Sequence, residues 1–166
     1  MNDPERYIFL DVDGVLNHRA YLIEAAEIYN KGESNETWHL KQLDGQAVAR
    51  LDALLRRTGA KVVISSSWRG LVQLPGWLRE RGLSEAHEIV GVTPRIPGPR
   101  GLEIQEWMTR HRVAPEQIVI LDDEDDMAHL AHRLVQTSFM DDDGGLRERH
   151  VERAVALFET KQEETP

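Results

Sequence analysis

An α/β fold, with a parallel sheet held between two layers of helices, is what this sequence predicts, on three observations. Four short apolar runs, at Tyr7–Leu10, Lys61–Ile64, Ile118–Leu121 and Leu134–Phe139, are rich in β-branched residues and continuous rather than alternating, the pattern of strands buried on both faces. Between them lie segments with apolar residues at helical spacing. Strands that alternate with helices build right-handed β-α-β units, and such units close into a three-layer α/β sandwich.

The first strand, Tyr7–Leu10, is followed by a long polar stretch, His18 to Asp44, that holds Tyr21–Tyr29, the polar run Asn30–Thr37 and then Trp38. This stretch is long enough for a flap and too short for a folded cap domain. Ala47, Val48, Leu51, Leu54 and Leu55 then fall on one helical face, with Gly59 as the stop. After the second strand, Pro75 to Arg81 predicts a short helix ended by Gly82, and Glu88–Val92 a weaker strand. Ile104, Trp107, Met108 and His111 form the next stripe. Met127, Leu130, Ala131 and Leu134 suggest a short helix after the strand at Ile118, and Val151, Ala154, Val155 and Phe158 make the last one. The cation-rich stretch Arg147–Arg153 reads as its solvated face. We read residues 1–160 as one domain and 161–166 as a frayed tail.

Composition narrows the chemistry. With no cysteine in 166 residues, disulfides, thiolate catalysis and Cys-based zinc sites are excluded. His129 and His132 are too few for a zinc site and read as surface or packing residues. No apolar run approaches the ~20 residues that span a bilayer. The opening MNDPERYIFLD lacks the charge pattern and apolar length of a signal peptide, so a cytoplasmic location is the expectation. The formal charge of −9 argues against a free-standing binder of duplex nucleic acid, because phosphate contacts call for basic residues. Much of that charge is local: Asp122 to Asp126 are five consecutive acids, and Asp141 to Asp143 add three. A block of this kind is a solvated surface or a cation site.

Ligands of open α/β sheets bind at the carboxyl ends of strands, so the residues there decide the chemistry. The first strand ends in Asp11-Val12-Asp13-Gly14, two carboxylates leaving the sheet together before a residue that turns the chain. The plainer reading is an Asp-Gly turn. A calcium loop fits poorly, because Val15 and Leu16 stand where a third oxygen ligand and a glycine are needed. The second strand ends in Ser65-Ser66-Ser67-Trp68-Arg69, where hydroxyls and free N–H groups can hold a phosphate or simply cap a helix. The strand at Ile118 runs into Asp122 and Asp123, carboxylates that need a cation partner or raised pKa values. Hard divalent cations with oxygen ligands meet that need. Arg100 stands before Gly101 at a helix start, placed to neutralise carboxylates, to clamp a phosphate, or to sit on the surface.

The ordered set DVDGVLN, VVISSSWR, Arg100-Gly101 and VILDDEDDM resembles the four motifs of the haloacid dehalogenase (HAD) superfamily, across Tyr7 to Asp126. The third motif departs from the usual pattern, with arginine where the family usually has lysine. GVTP at Gly91–Pro94, RGLEIQEW and Gly145-Leu146 extend the likeness to small HAD domains, some fused into Swiss Army Knife RNA-repair proteins. The resemblance implies a Rossmann-like sheet ordered 5-4-1-2-3 with a minimal cap or none. It also implies a magnesium-dependent phosphomonoester hydrolase. In that reading Asp11 is the nucleophile and forms an aspartyl-phosphate, and Asp13 is the general acid and base. Magnesium sits between the Asp11 carboxylate, the Asp13 carbonyl and Asp122. Ser66 and the Ser67 N–H hold phosphate oxygens, with Ser65 as the alternative, and Arg100 completes the charge balance. Asp123 and Asp126 orient the metal ligands or the metal's waters. Aspartate at position 13 favours phosphate esters over dehalogenation. A phosphorylated substrate is implied, with nucleotides or nucleic-acid ends as candidates, Trp38 and Trp68 bordering the entrance as stacking faces. Two rival readings are a HAD-shaped binding module without turnover and a phosphotransferase. Oligomeric state and pathway are not legible in the residues.

Overall fold

The computed structural model describes residues 2–160; the tail assigned to 161–166 lies outside the described residues. Five parallel strands form one sheet: β1 Tyr7–Leu10, β2 Lys61–Ile64, β3 Ile89–Val92, β4 Ile118–Asp122 and β5 Leu134–Gln136. Their order is β3-β2-β1-β4-β5, which is the expected 5-4-1-2-3 read from the other edge. The order reverses at β1, so β1 and β4 lie side by side, with Leu10 opposite Leu121.

Successive residues of a strand point to opposite faces, and the continuous apolar runs serve two cores. On one face Ile8, Leu10, Val62, Ile64, Val119 and Leu121 meet α3 (Gly45–Thr58), α4 (Leu74–Glu80) and α6 (Glu148–Glu159). On the other, Tyr7, Phe9, Val63, Ile118 and Ile120 meet Ile104, Trp107 and Met108 of α5 (Arg100–His111). Trp107 packs edge-on against Tyr7 and Phe9, at 5.3 and 5.4 Å between ring centres. Each fully buried side chain of this size contributes roughly 1.5–3 kcal/mol, so the two cores hold α3 and α5 firmly against opposite faces of the sheet.

Several boundaries differ from expectation. β3 is an edge strand whose pairing with β2 shifts between Val62 and Val63, and its side chains alternate between half-buried and exposed. The apolar run after Leu134 leaves the sheet at Gln136, because Thr137 turns to bond Asp122 O through its N–H and Gly14 O through its hydroxyl, at 3.0 and 2.6 Å. The segment after β4 is a 3-10 helix, Ala128–Arg133.

The stretch His18 to Asp44 is more ordered than a flap. It forms α1 (Arg19–Asn30) and the one-turn α2 (Trp38–Lys41). No separate folded domain is built there among the described residues. Tyr21 donates to the carbonyls of Lys41 and Leu43, at 2.7 and 3.1 Å, and Arg81 of the α4 end donates to Leu40 O at 2.9 Å. The Tyr21 bonds close the insert on itself, the Arg81 bond ties its end to α4, and the Arg19 N–H on Phe139 O, at 2.8 Å, ties its start to the body.

Candidate active site

Asp11 directly follows β1, and its backbone N–H still bonds Leu121 O at 3.0 Å. Its carboxylate is therefore delivered beside Asp122, the last residue of β4. Asp11 is 5% exposed and Asp122 fully buried. Asp123 joins them: one oxygen from each of the three side chains lies within 4.8 Å of the others. Asp123 reaches this position because residue 14 is glycine. A Cβ there would stand 2.4 Å from the Asp123 carboxyl carbon, and the backbone sits at φ +84°, a conformation that favours glycine.

One guanidinium answers this negative cluster. Arg100, the first residue of α5, places Nη1 at 3.1 Å from Asp11 and 2.8 Å from Asp122. Burial pushes its pKa down, but the charges of Asp122 and Asp11 outweigh that and hold it above the ordinary arginine value. Even so, one cation does not balance three acids. Burial, with the Asp11 charge added, pushes Asp122 up to about 8 and Asp123 up to about 6. Three hard oxygen donors converging with an uncompensated charge can hold a divalent cation, and the residues fit magnesium.

Asp13 stands apart from this cluster. Its carboxylate accepts from Asn17 Nδ2 at 3.0 Å and from Trp68 Nε1 at 3.1 Å. Asn17, itself fully buried, uses its own oxygen to accept from the Gly14 N–H. Of the expected metal set, the side chains of Asp11 and Asp122 converge, with Asp123 beside them, while Asp13, expected to offer its backbone carbonyl, keeps its carboxylate outside the cluster. Asp126, expected to orient the metal ligands, lies elsewhere. It accepts from the Arg100 N–H at 3.2 Å and so caps the helix that carries Arg100.

The serine loop lies on the neighbouring strand end. Ser66 is buried and accepts from the Trp68 N–H at 3.1 Å, which leaves its own hydroxyl proton to donate. Ser65 is buried with no partner for its hydroxyl among the described residues. Arg69 fixes the loop to α5, donating to Ser66 O at 3.2 Å and pairing with the buried Glu103. Asp11, Asp13, Ser67, Arg100 and Asp123 share one cavity of about 460 Å³, walled by Leu22 and Gln42 of the insert and by Phe139.

Trp68 does not present a stacking face at the entrance. It is 7% exposed, and its N–H is spent on Asp13. Trp38 packs on Tyr29, with ring centres 5.3 Å apart. Sequence reasoning missed the roles of Asn17 and Trp68. Asn17 stands inside the quoted DVDGVLN motif, which was the available signal; nothing in the local sequence links Trp68 to Asp13.

A parallel sheet that reverses at β1, paired carboxylates at the ends of its two central strands and a basic residue from the following helix define a HAD-type hydrolase fold. The chain belongs to that superfamily: residues 7–151 match the family described as the HAD domain in Swiss Army Knife RNA repair proteins. No curated protein matches the chain. Solved structures similar to it include a haloacid dehalogenase-like hydrolase from Streptococcus pneumoniae (14% identity, 90% of each chain covered, TM-score 0.47). A β-phosphoglucomutase from Clostridium difficile matches at 12% identity, over 92% of this chain and 97% of that one, with TM-score 0.44. A HAD-like hydrolase from Porphyromonas gingivalis matches at 15% identity, over 83% and 93%, with TM-score 0.46. No helix among the described residues is long and apolar enough to cross a membrane.

Proposed function

We propose that this chain hydrolyses phosphate monoesters through a phosphorylated Asp11, with magnesium as cofactor. The observation that carries the reading is the convergence of Asp11, Asp122 and Asp123 on one site with a single guanidinium between two of them. These carboxylates and the Asp13 carbonyl would hold the metal. Bound magnesium supplies the positive charge that lets an anionic nucleophile approach an anionic phosphate.

The chain's own residues do the rest. Asp11 attacks phosphorus opposite the ester oxygen; the bond from phosphorus to that oxygen breaks as the bond to Asp11 forms. Asp13 gives its proton to the departing oxygen. A water then attacks the phosphorylated Asp11 and gives a proton to Asp13, releasing inorganic phosphate and restoring both carboxyl groups. The Ser66 hydroxyl, the Ser67 N–H and Arg100 hold the phosphate oxygens as charge builds on them.

As substrate we propose a terminal phosphate on a nucleotide or nucleic acid. Two observations support this. The cavity is walled by a two-helix insert rather than by a closing domain, whereas small-metabolite enzymes use a lid to exclude water. The matched family consists of HAD domains of RNA-repair proteins. The −9 charge limits the reading to ends and short segments rather than long strands. The test compares 3′- and 5′-phosphorylated oligonucleotides, mononucleotides and sugar phosphates at equal concentration and fixed low salt, with magnesium. We expect the phosphorylated ends or nucleotides to have the higher kcat/KM. Higher values for sugar phosphates sink the nucleic-acid assignment and leave the hydrolase reading standing; no metal-dependent turnover of any of them sinks both.

A further inference from the structure

We infer that Trp68 is a positioning residue for Asp13, holding the carboxyl group that must protonate the leaving oxygen. The inference rests on the hydrolase reading above. Trp68 lies on the 3-10 turn Ser67–Gly70 that follows β2, and Asp13 lies on the turn after β1. The two meet through the indole N–H and Asp13 Oδ2 at 3.1 Å, while Asn17 occupies Oδ1 at 3.0 Å. One donor on each oxygen fixes both the rotation and the tilt of the carboxyl plane. A single donor would leave the group free to swing toward the Asp11–Asp122–Asp123 cluster.

Trp68 can do this because it is itself immobilised. Its backbone N–H is tied to Ser66 Oγ. Its ring lies edge-on to Trp77, with ring centres 6.4 Å apart, and edge-on to His39 at 5.6 Å. His39 in turn stacks flat on Trp77, at 4.9 Å and 6° between planes. His39 belongs to α2, so the insert that walls the cavity also braces the residue that holds Asp13. A buried indole N–H needs an acceptor in any protein; here the acceptor is the carboxyl group whose direction decides where a proton goes.

A positioning role predicts a loss that depends on the leaving group, which a packing role does not. An alkyl phosphate needs its departing oxygen protonated. A p-nitrophenolate departs with little help. Trp68→Phe keeps most of the ring and removes the N–H. The experiment measures kcat/KM, which reports steps up to the first phosphoryl transfer, for an alkyl phosphate and for p-nitrophenyl phosphate. We expect the aryl-to-alkyl ratio to rise about tenfold in the variant, within the range that acid–base help supplies. An unchanged ratio in a wild type active on both esters, with both rates falling together or neither falling, overturns the inference and leaves the hydrolase reading intact. A wild type without metal-dependent turnover of either ester or of nucleotides and phosphorylated oligonucleotides removes the hydrolase reading, and this inference with it.

Should Trp68→Phe fail to fold, the indole N–H resonances of Asp13→Ala decide the matter. The Trp68 resonance should move further than those of Trp38, Trp77 and Trp107. A Trp68 resonance that moves no more than the other three means that the bond is not made, and the inference falls.

Discussion

Replacing Gly101 by alanine tests how the fold delivers Arg100. Gly101 is the second residue of α5, and its backbone does not lie in the left-handed region. Helix propensity alone predicts that alanine there stabilises the protein by up to about 1 kcal/mol. Packing predicts the reverse. A Cβ at this position would stand 2.0 Å from Met127 O and 2.2 Å from Met127 C, both backbone atoms that no rotamer change can move aside. Real Cβ contacts essentially never fall below 3.0 Å, so the helix start must retreat by at least about 1 Å, an overpacking that costs roughly 1–3 kcal/mol. Arg100 is the adjacent residue, and its contacts to Asp122 and Asp11 stand at 2.8 and 3.1 Å. A retreat of that size opens both, and a misplacement of about 1 Å costs on the order of 10²-fold in rate. The assay pairs urea denaturation with kcat/KM on p-nitrophenyl phosphate. We expect a lower midpoint and activity reduced by about two orders of magnitude. A variant as stable as the wild type, or more stable, with undiminished activity refutes the steric argument.

Other perturbations give equally direct outcomes. Asp13→Asn should lower turnover by roughly 10²–10⁴-fold, measured on an alkyl phosphate; a loss below about tenfold, well under that range, assigns the proton to another group. Magnesium should support activity and excess calcium suppress it, because calcium accepts more ligands and looser geometry; full activity in a chelator counts against a metal enzyme. Stability should also carry the signature of His150, whose Nδ1 accepts the Arg147 N–H at 2.9 Å and whose pKa is lowered to about 4 by burial, with the Arg149 charge adding to it. Between about pH 6.5 and 4 the unfolded chain binds a proton that the folded protein refuses, so up to about 3 kcal/mol of stability present above pH 6.5 is lost as pH falls through that window. Urea midpoints across pH should fall less steeply in His150→Asn, which keeps an acceptor and cannot titrate; parallel slopes would remove His150 from the account.

The sheet and the chemical centre of the site were legible in the residues for one shared reason. Strands buried on both faces demand continuous apolar runs, so Tyr7–Leu10 and Ile118–Leu121 stand out, and whatever follows them must emerge at the carboxyl edge. Asp11, Asp122 and Arg100 come together as expected. The insert was less legible because α1 buries only Ala25, and the apolar spacing of Tyr21, Leu22, Ala25 and Ile28 is blurred by Ile23 and Tyr29 on its exposed side. Within Asp122–Asp126, composition assigns every acid the same prospects. The backbone separates them: Asp122 is buried, Asp123 half-buried at the cluster, and Asp126 exposed at the start of α5. Trp68 illustrates a third limit. Its contact with Asp13 spans 55 positions, and only the pairing of β1 with β2 brings the two turns together.

The central claim is that Asp11 carries the phosphoryl group in a covalent intermediate. The most direct measurement mixes the protein with labelled phosphate ester and magnesium, quenches in acid during turnover, reduces the trapped acyl phosphate with borohydride and maps the product by peptide mass. The account predicts homoserine at position 11, formed only in the presence of substrate and absent from Asp11→Asn. Steady turnover with no modification at position 11, or with homoserine formed at another aspartate instead, contradicts it.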